Sequence, residues 1–198
     1  MKSYSQLIHE EPQAKVISRD AKSLLTANDQ LLQHSLDLLP KSLCHLRETA
    51  CEKTVLMMVL VKSAKTFRAM NILAAKGFGS DAMILLRTLT ELLVTFRFIR
   101  QADSANRARR YFVFATVASS WKTQQSLGID PAAQIDEFSR RLCAQAAEAK
   151  RDFGEDWWGR VLKASDWAGN SLRKKAVGVG LSDLYEKGYA RACEASHG

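Results

Sequence analysis

KSLCHLRETACEKTVLMMVLVKSAKTFRAMNILAAK, residues 41–76, runs from Lys41 to Lys76 without a proline or a glycine. Its apolar positions Leu43, Leu46, Ala50, Thr54, Met57, Val61, Ala64, Phe67 and Leu73 recur at the helical period and form one stripe. Gly77 and Gly79 follow, where the chain needs backbone freedom to leave a helix. The stretch predicts one long helix or two nearly collinear ones. At ~1.5 Å per residue it reaches about 50 Å, the length of a spine or of a dimer surface.

The same pattern continues on both sides. Upstream, Val16, Leu24, Leu25, Leu31, Leu32, Leu36 and Leu39 predict a helix over 13–39 that stops at Pro40, itself suited to open the next helix. Downstream, Ser80 is placed to cap a helix from Asp81 to about Gln101 that is apolar nearly all round and therefore central. Asp103 or Ser104 opens another, through RARRYFVFATVASSW to about Leu127. Asp130-Pro131 starts a helix ending near Gly154, and GEDWWGRVLKASDWA (154–168) reads as an irregular aromatic loop. Asn170 caps a short helix to Val177, and Ser182 caps the last, from Asp183 onward. No internal repeat and no period-two strand interrupts this series. The fold class is all-α, one helical domain over residues 1–198.

Composition agrees. The 198 residues suffice for a core without disulfide or metal, and 46% hydrophobic with 25% charged is an ordinary globular balance. Only 3 prolines and 10 glycines are too few for the many turns of a β-sandwich or barrel. The longest uncharged apolar run, Val55 to Val61, falls far short of the ~20 residues a bilayer requires. Ala82 to Ile99 is long enough but carries Arg87, Glu91 and Arg97, so no membrane partner is expected. Cys44, Cys51, Cys143 and Cys193 have no metal-ligand spacing and do not cluster with the histidines. With a polar N-terminus, they read as reduced thiols in a cytoplasmic protein, and neither metal nor cofactor is expected.

Net charge is +8, and residues 97–175 hold 15 Lys/Arg against 9 Asp/Glu. A basic surface attracts nucleic acid through phosphate contacts, and Arg107, Arg109 and Arg110 on one helix are its candidate carriers. The plainer reading is a solvated face on a mildly basic protein.

Three further features bear on chemistry. Arg87 and Glu91, four apart in LLRTLTELL, can touch on one helix face. They form either an internal ion pair that fixes register or a substrate-orienting arginine held by its carboxylate. Tyr185, Tyr189 and Ser196 fall on one stripe of the last helix, as packing residues or as part of the same site. Arg191 and His197 form an Arg-x5-His pair, within the Arg-x(4–6)-His pattern of HEPN ribonucleases. Cutting RNA without a metal needs a base near neutrality for the 2′-hydroxyl proton, and imidazole supplies one. It also needs a cation on the phosphate, which a guanidinium supplies. Six helical residues place Arg191 and His197 about 120° apart, so they converge only through a bend near Gly188 or across a two-fold.

AMILLRTLTELLVTFRFI (82–99), DWAGNSLRKKAVGVGLSDLY (166–185) and YEKGYARACEASHG (185–198) together resemble an uncharacterised bacterial helical family, a domain of unknown function. In that family an Arg-x-x-x-Glu helix is followed far downstream by a Tyr-x3-Tyr helix ending in a His element. The resemblance covers the chain from Ala82 onward. It implies a HEPN-like helical bundle and, by analogy, a role in phage defence or a toxin–antitoxin pair. On this reading Arg191 and His197 are catalytic, and Arg87, Glu91, Tyr185, Tyr189 and Ser196 orient substrate. RNA, a second copy of the chain and an antitoxin-like protein are the implied partners. The alternative is a non-catalytic helical module that binds RNA or protein through Arg107, Arg109, Arg110 and the Trp157-Trp158 segment.

Overall fold

In the computed structural model, the residues described are 15–16, 19–44, 50–163 and 167–197, with side chains excepted at 38–44 and 194–197. Every regular element among them is helical. In chain order these are α1 (Lys22–Cys44), α2 (Ala50–Ala75), α3 (Gly79–Gln101) and α4 (Ser104–Val113). A π-helical turn (Phe114–Ala118) leads directly into α5 (Ser119–Ser126). A 3-10 turn (Pro131–Ala133), α6 (Glu137–Phe153), α7 (Glu155–Lys163) and α8 (Leu172–Gly178) come next. The chain closes with α9 (Ser182–Leu184), a second π-helical turn (Tyr185–Tyr189) and α10 (Ala190–His197). None of the described helices is long and apolar enough to cross a membrane.

The chain clusters into two compact units. One comprises residues 1–47, 56–98 and 175–198, the other 48–55 and 99–174. In the first, Leu56, Val59, Leu92 and Val94 of α2 and α3 are buried with Ala176 and Ala192. In the second, Leu142, Ala146 and Ala149 line one stripe of α6, buried with Ile99, Ala108, Trp157, Trp158, Val161 and Trp167. Glu52 is buried there too, and the Ser104 hydroxyl donates to its carboxylate.

Glycines end helices where the sequence places them. Phe78 N–H bonds the Leu73 carbonyl and Gly77 N–H the Ala74 carbonyl, with Gly77 at φ 91°. That is a Schellman ending, in which a left-handed residue turns the chain back over the last carbonyls. Gly128 and Gly180 repeat it after α5 and α8.

Several boundaries differ from the sequence expectation. The spine helix α2 has 26 residues and a length of about 39 Å, starting at Ala50; residues 45–49 lie outside the described set. Pro40 does not stop α1, which runs through it to Cys44; a proline removes one amide donor but its fixed φ is helical. Asp130 caps only the short 3-10 turn, and Asp136 caps α6 by accepting from Ser139 N–H. The Ser171 hydroxyl, rather than Asn170, accepts from the first turn of α8. Asp103 sits in the left-handed region at φ 45° and accepts from the Asn106 side chain instead of capping the α4 backbone.

The aromatic stretch 154–168 is the largest departure. Its first part is α7, and Trp157, Trp158 and Trp167 are buried. Trp157 Nε1–H donates to the Trp167 carbonyl at 3.0 Å. Trp158 meets Trp121 edge-on and Trp167 meets Tyr111. These rings form a core, with the one polar edge of Trp157 satisfied.

Candidate functional site

Arg87 and Glu91 lie one turn apart on α3, as their spacing dictates. The neighbouring α3 positions Leu92, Val94 and Thr90 are buried, so the pair stands at the edge of that core. It is not an internal ion pair: the two side chains are 38% and 41% exposed. Arg87 Nε donates to Glu91 Oε1 at 3.3 Å. The same carboxylate oxygen accepts from the Tyr189 hydroxyl at 3.0 Å, a contact reaching 98 residues along the chain. Arg87 Cζ stands 5.2 Å from the Tyr189 ring centroid, and Tyr185 stacks on Tyr189 at 4.8 Å with 15° between planes.

These contacts define the charge state. Partial burial and then the Glu91 carboxylate push the Tyr189 hydroxyl up to about 12, so at neutral pH it is a fixed donor. The Tyr189 hydroxyl and Glu91 in turn raise Arg87 above its ordinary range. Glu91 engages the guanidinium at Nε, and the Tyr189 hydroxyl hydrogen-bonds Arg87 as well, so the cation is held from two sides. The π-helical turn 185–189, closed by the Ala190 N–H to the Tyr185 carbonyl, sets the tyrosines as stacked neighbours.

Of the residues singled out in the sequence, Arg87, Glu91, Tyr185 and Tyr189 therefore come together. Arg191 is exposed. Positions 191 and 197 both lie in α10, beyond the π-turn, so no bend brings them together and about 120° still separates them. The side chains of Ser196 and His197 lie outside the described residues.

The second unit holds the basic helix α4. Arg109 there pairs with Glu148 at 3.2 Å and with Asp152, both on α6, and lies over the Phe153 ring. Arg110 also stands over Phe153, 5.4 Å from its centroid, and its Nε is buried without a hydrogen-bond partner among the described residues. Arg107 is half-buried. Beside Arg109 is a cavity of about 230 Å³ lined by Phe112, Val117, Gln145, Phe153 and Cys51. Burial pushes the Cys51 thiol up, against the opposing pull of Arg109. Sequence reading missed the carboxylates that take up Arg109; the i, i+4 spacing of Glu148 and Asp152 on one helix face was the available signal. No group of three or more His, Cys, Asp or Glu that could hold a metal ion occurs among the described residues.

The model of a family of unknown function, DUF5677, matches residues 53–198. The chain belongs to this family. The DUF5677 stretch contains the whole Arg87–Glu91–Tyr185–Tyr189 cluster together with Arg191 and His197, and it begins after α1. No curated protein and no solved structure matches.

Proposed function

We infer that this chain is a HEPN-like, metal-independent endoribonuclease whose phosphate site is built on Arg87. One observation carries the reading. A guanidinium held by Glu91 and laid against Tyr189 is still 38% exposed to solvent, and Tyr189 leads into the helix that carries position 197.

In this reaction the 2′-oxygen of the substrate attacks the adjacent phosphorus while an imidazole takes its proton. The bond from phosphorus to the 5′-oxygen breaks, and that oxygen recovers a proton. The products are a 2′,3′-cyclic phosphate and a 5′-hydroxyl. His197 is assigned the proton transfer and Arg87 the oxyanion, with Glu91 and Tyr189 holding Arg87 in place. Arg87 lies against Tyr189, which leads into the helix carrying position 197, so Arg87 is the cation assigned to the oxyanion within a protomer. Arg191 then acts from the other side of the substrate or across a two-fold. Such an enzyme suits phage defence or a toxin–antitoxin pair, where a protein partner would hold it in check.

The test is incubation with end-labelled RNA in EDTA, comparing the wild type with His197→Ala, Arg87→Ala and Arg191→Ala. Cleavage leaving cyclic-phosphate ends, lost in the first two variants, supports the assignment. Binding without cleavage identifies a non-catalytic RNA-binding module instead and overturns it.

A further inference from the structure

The start of α1 and the end of α2 meet antiparallel. Asn28 Nδ2 donates to Asn71 Oδ1 at 3.3 Å, and one turn further on Leu25 and Ala75 form the half-buried floor of an open cleft of about 810 Å³. That lies within the range of roughly 300–1,000 Å³ typical of sites for small organic molecules. Lys15, Lys22 and Lys76 border the cleft, the last from the turn after α2. Thr26 and Asp29 continue the face of α1 that Lys22 begins, at i+4 and i+7. All five side chains are exposed, and none makes an ion pair or a side-chain hydrogen bond among the described residues. Arg19, the remaining cation, is taken up by Asp20, its Nε donating to Oδ1 at 2.6 Å.

Helix stability gives no reason for this arrangement. A lysine in the first turn of α1 opposes the helix dipole, and no acidic side chain in that turn offsets it. Lys22 and Asp29 carry opposite charges on one face, but two turns, ~10 Å of rise, keep them from pairing. The cleft therefore has an end with three ammonium groups and an acidic end, with the Thr26 hydroxyl between.

We propose that this cleft binds a nucleotide, its phosphates on Lys15, Lys22 and Lys76 and its ribose hydroxyls on Asp29. Three ammonium groups at one end call for several anionic oxygens, which a chain of phosphates supplies. An ionised carboxylate only accepts, so Asp29 suits a group with protons to donate, and a ribose diol offers two. The span from that diol to the outer phosphates of an extended nucleotide is of the same order as the rise from Lys22 to Asp29. Single-stranded nucleic acid is the poorer fit, because its sites combine a basic groove with stacked aromatic rings. No aromatic side chain lines this cleft among the described residues, so phosphate and sugar carry the recognition. None of the Arg87 cluster lines it either, and the proposal stands or falls without the nuclease reading.

Isothermal titration calorimetry of the full chain in EDTA tests it, with ATP and GTP as probes and with inorganic tripolyphosphate, adenosine and a single-stranded RNA lacking terminal phosphates as comparisons. The expected result is saturable one-to-one binding of both nucleotides, with tripolyphosphate and adenosine each at least about tenfold weaker because each engages one end. Lys22→Gln/Lys76→Gln should weaken ATP about tenfold. Lys62→Gln/Lys65→Gln, exposed on α2 outside the cleft, makes the same change in net charge and should weaken it less than about twofold. Asp29→Asn removes the diol acceptor and also a charge that repels phosphate, so the preference for ATP over tripolyphosphate should fall at least about threefold. Arg87→Ala should leave every affinity unchanged, and circular dichroism checks that the variants keep their helices. No saturable nucleotide binding, tripolyphosphate or the RNA binding as tightly as ATP, equal losses from the two lysine pairs, or an unchanged preference in Asp29→Asn would each overturn the proposal.

Discussion

Replacing Tyr189 by phenylalanine removes one hydroxyl from the candidate site. The ring keeps its stack on Tyr185 and its place against Arg87, and the hydroxyl that donates to Glu91 at 3.0 Å and also meets Arg87 is lost. A hydrogen bond to a charged acceptor contributes about 1.5–3 kcal/mol when shielded. Glu91 is 41% exposed, so water replaces part of the lost donor and the expected cost falls to about 1 kcal/mol. For a chain of this length that lowers the melting temperature by about 2–4 °C. Tyr189→Ala also removes the stack and the cation–π contact, each worth about 0.5–1 kcal/mol, and should cost about 2–3 kcal/mol. Urea denaturation followed by circular dichroism measures both, and a double-mutant cycle with Glu91→Gln gives the coupling. In the Glu91→Gln background Tyr189→Phe should cost at most half as much, because the charged acceptor has gone. If Tyr189→Phe costs the same in both backgrounds, Glu91 is not the partner of Tyr189 and the cluster as described is wrong.

Three other outcomes follow from the same geometry. Ultraviolet titration should show one tyrosine ionising near pH 12, above the ordinary value of about 10, and Glu91→Gln should move it down by removing a charge that opposes the phenolate. Since the folded value is raised, this tyrosine's contribution to stability is whole below about pH 10 and is lost as pH rises toward 12. Alkylation of Cys51 by iodoacetamide should need a pH above that of an ordinary thiol, and Arg109→Ala should raise that pH further, since Arg109 favours the thiolate; mass spectrometry of the labelled peptide measures it. Trp157→Ala should destabilise by about 3–5 kcal/mol in urea denaturation, the cost of emptying a buried aromatic site; a solvated loop residue would cost under 0.5 kcal/mol.

Helix was legible in this sequence because the period of its apolar residues and the absence of breakers are local properties. The stops at Gly77, Gly128 and Gly180 were equally readable, since a left-handed residue at a helix end strongly favours glycine. Local signals misled where two competed. Asp130-Pro131 and Asp136 both resemble helix starts, and only the capping bond to Ser139 N–H distinguishes the helix from the preceding turn. Pro40 looked like a terminus because the penalty for an interior proline is usually decisive, but here the helix continues. The tryptophans of 154–168 looked like a loop because their burial depends on Trp121, Tyr111 and the Trp167 carbonyl, none of which a periodicity can reveal.

The same division applies to the candidate site. Sequence alone determined that Arg87 can meet Glu91 and Tyr185 can meet Tyr189, because four residues on a helix set that geometry. Tertiary structure alone decided that the two pairs are one cluster, and that Arg109 is taken up by carboxylates 39 and 43 residues away. Spacing along a helix fixes which side chains are neighbours on its surface; which other surface it meets depends on how distant segments share a core, and that is a property of the whole chain.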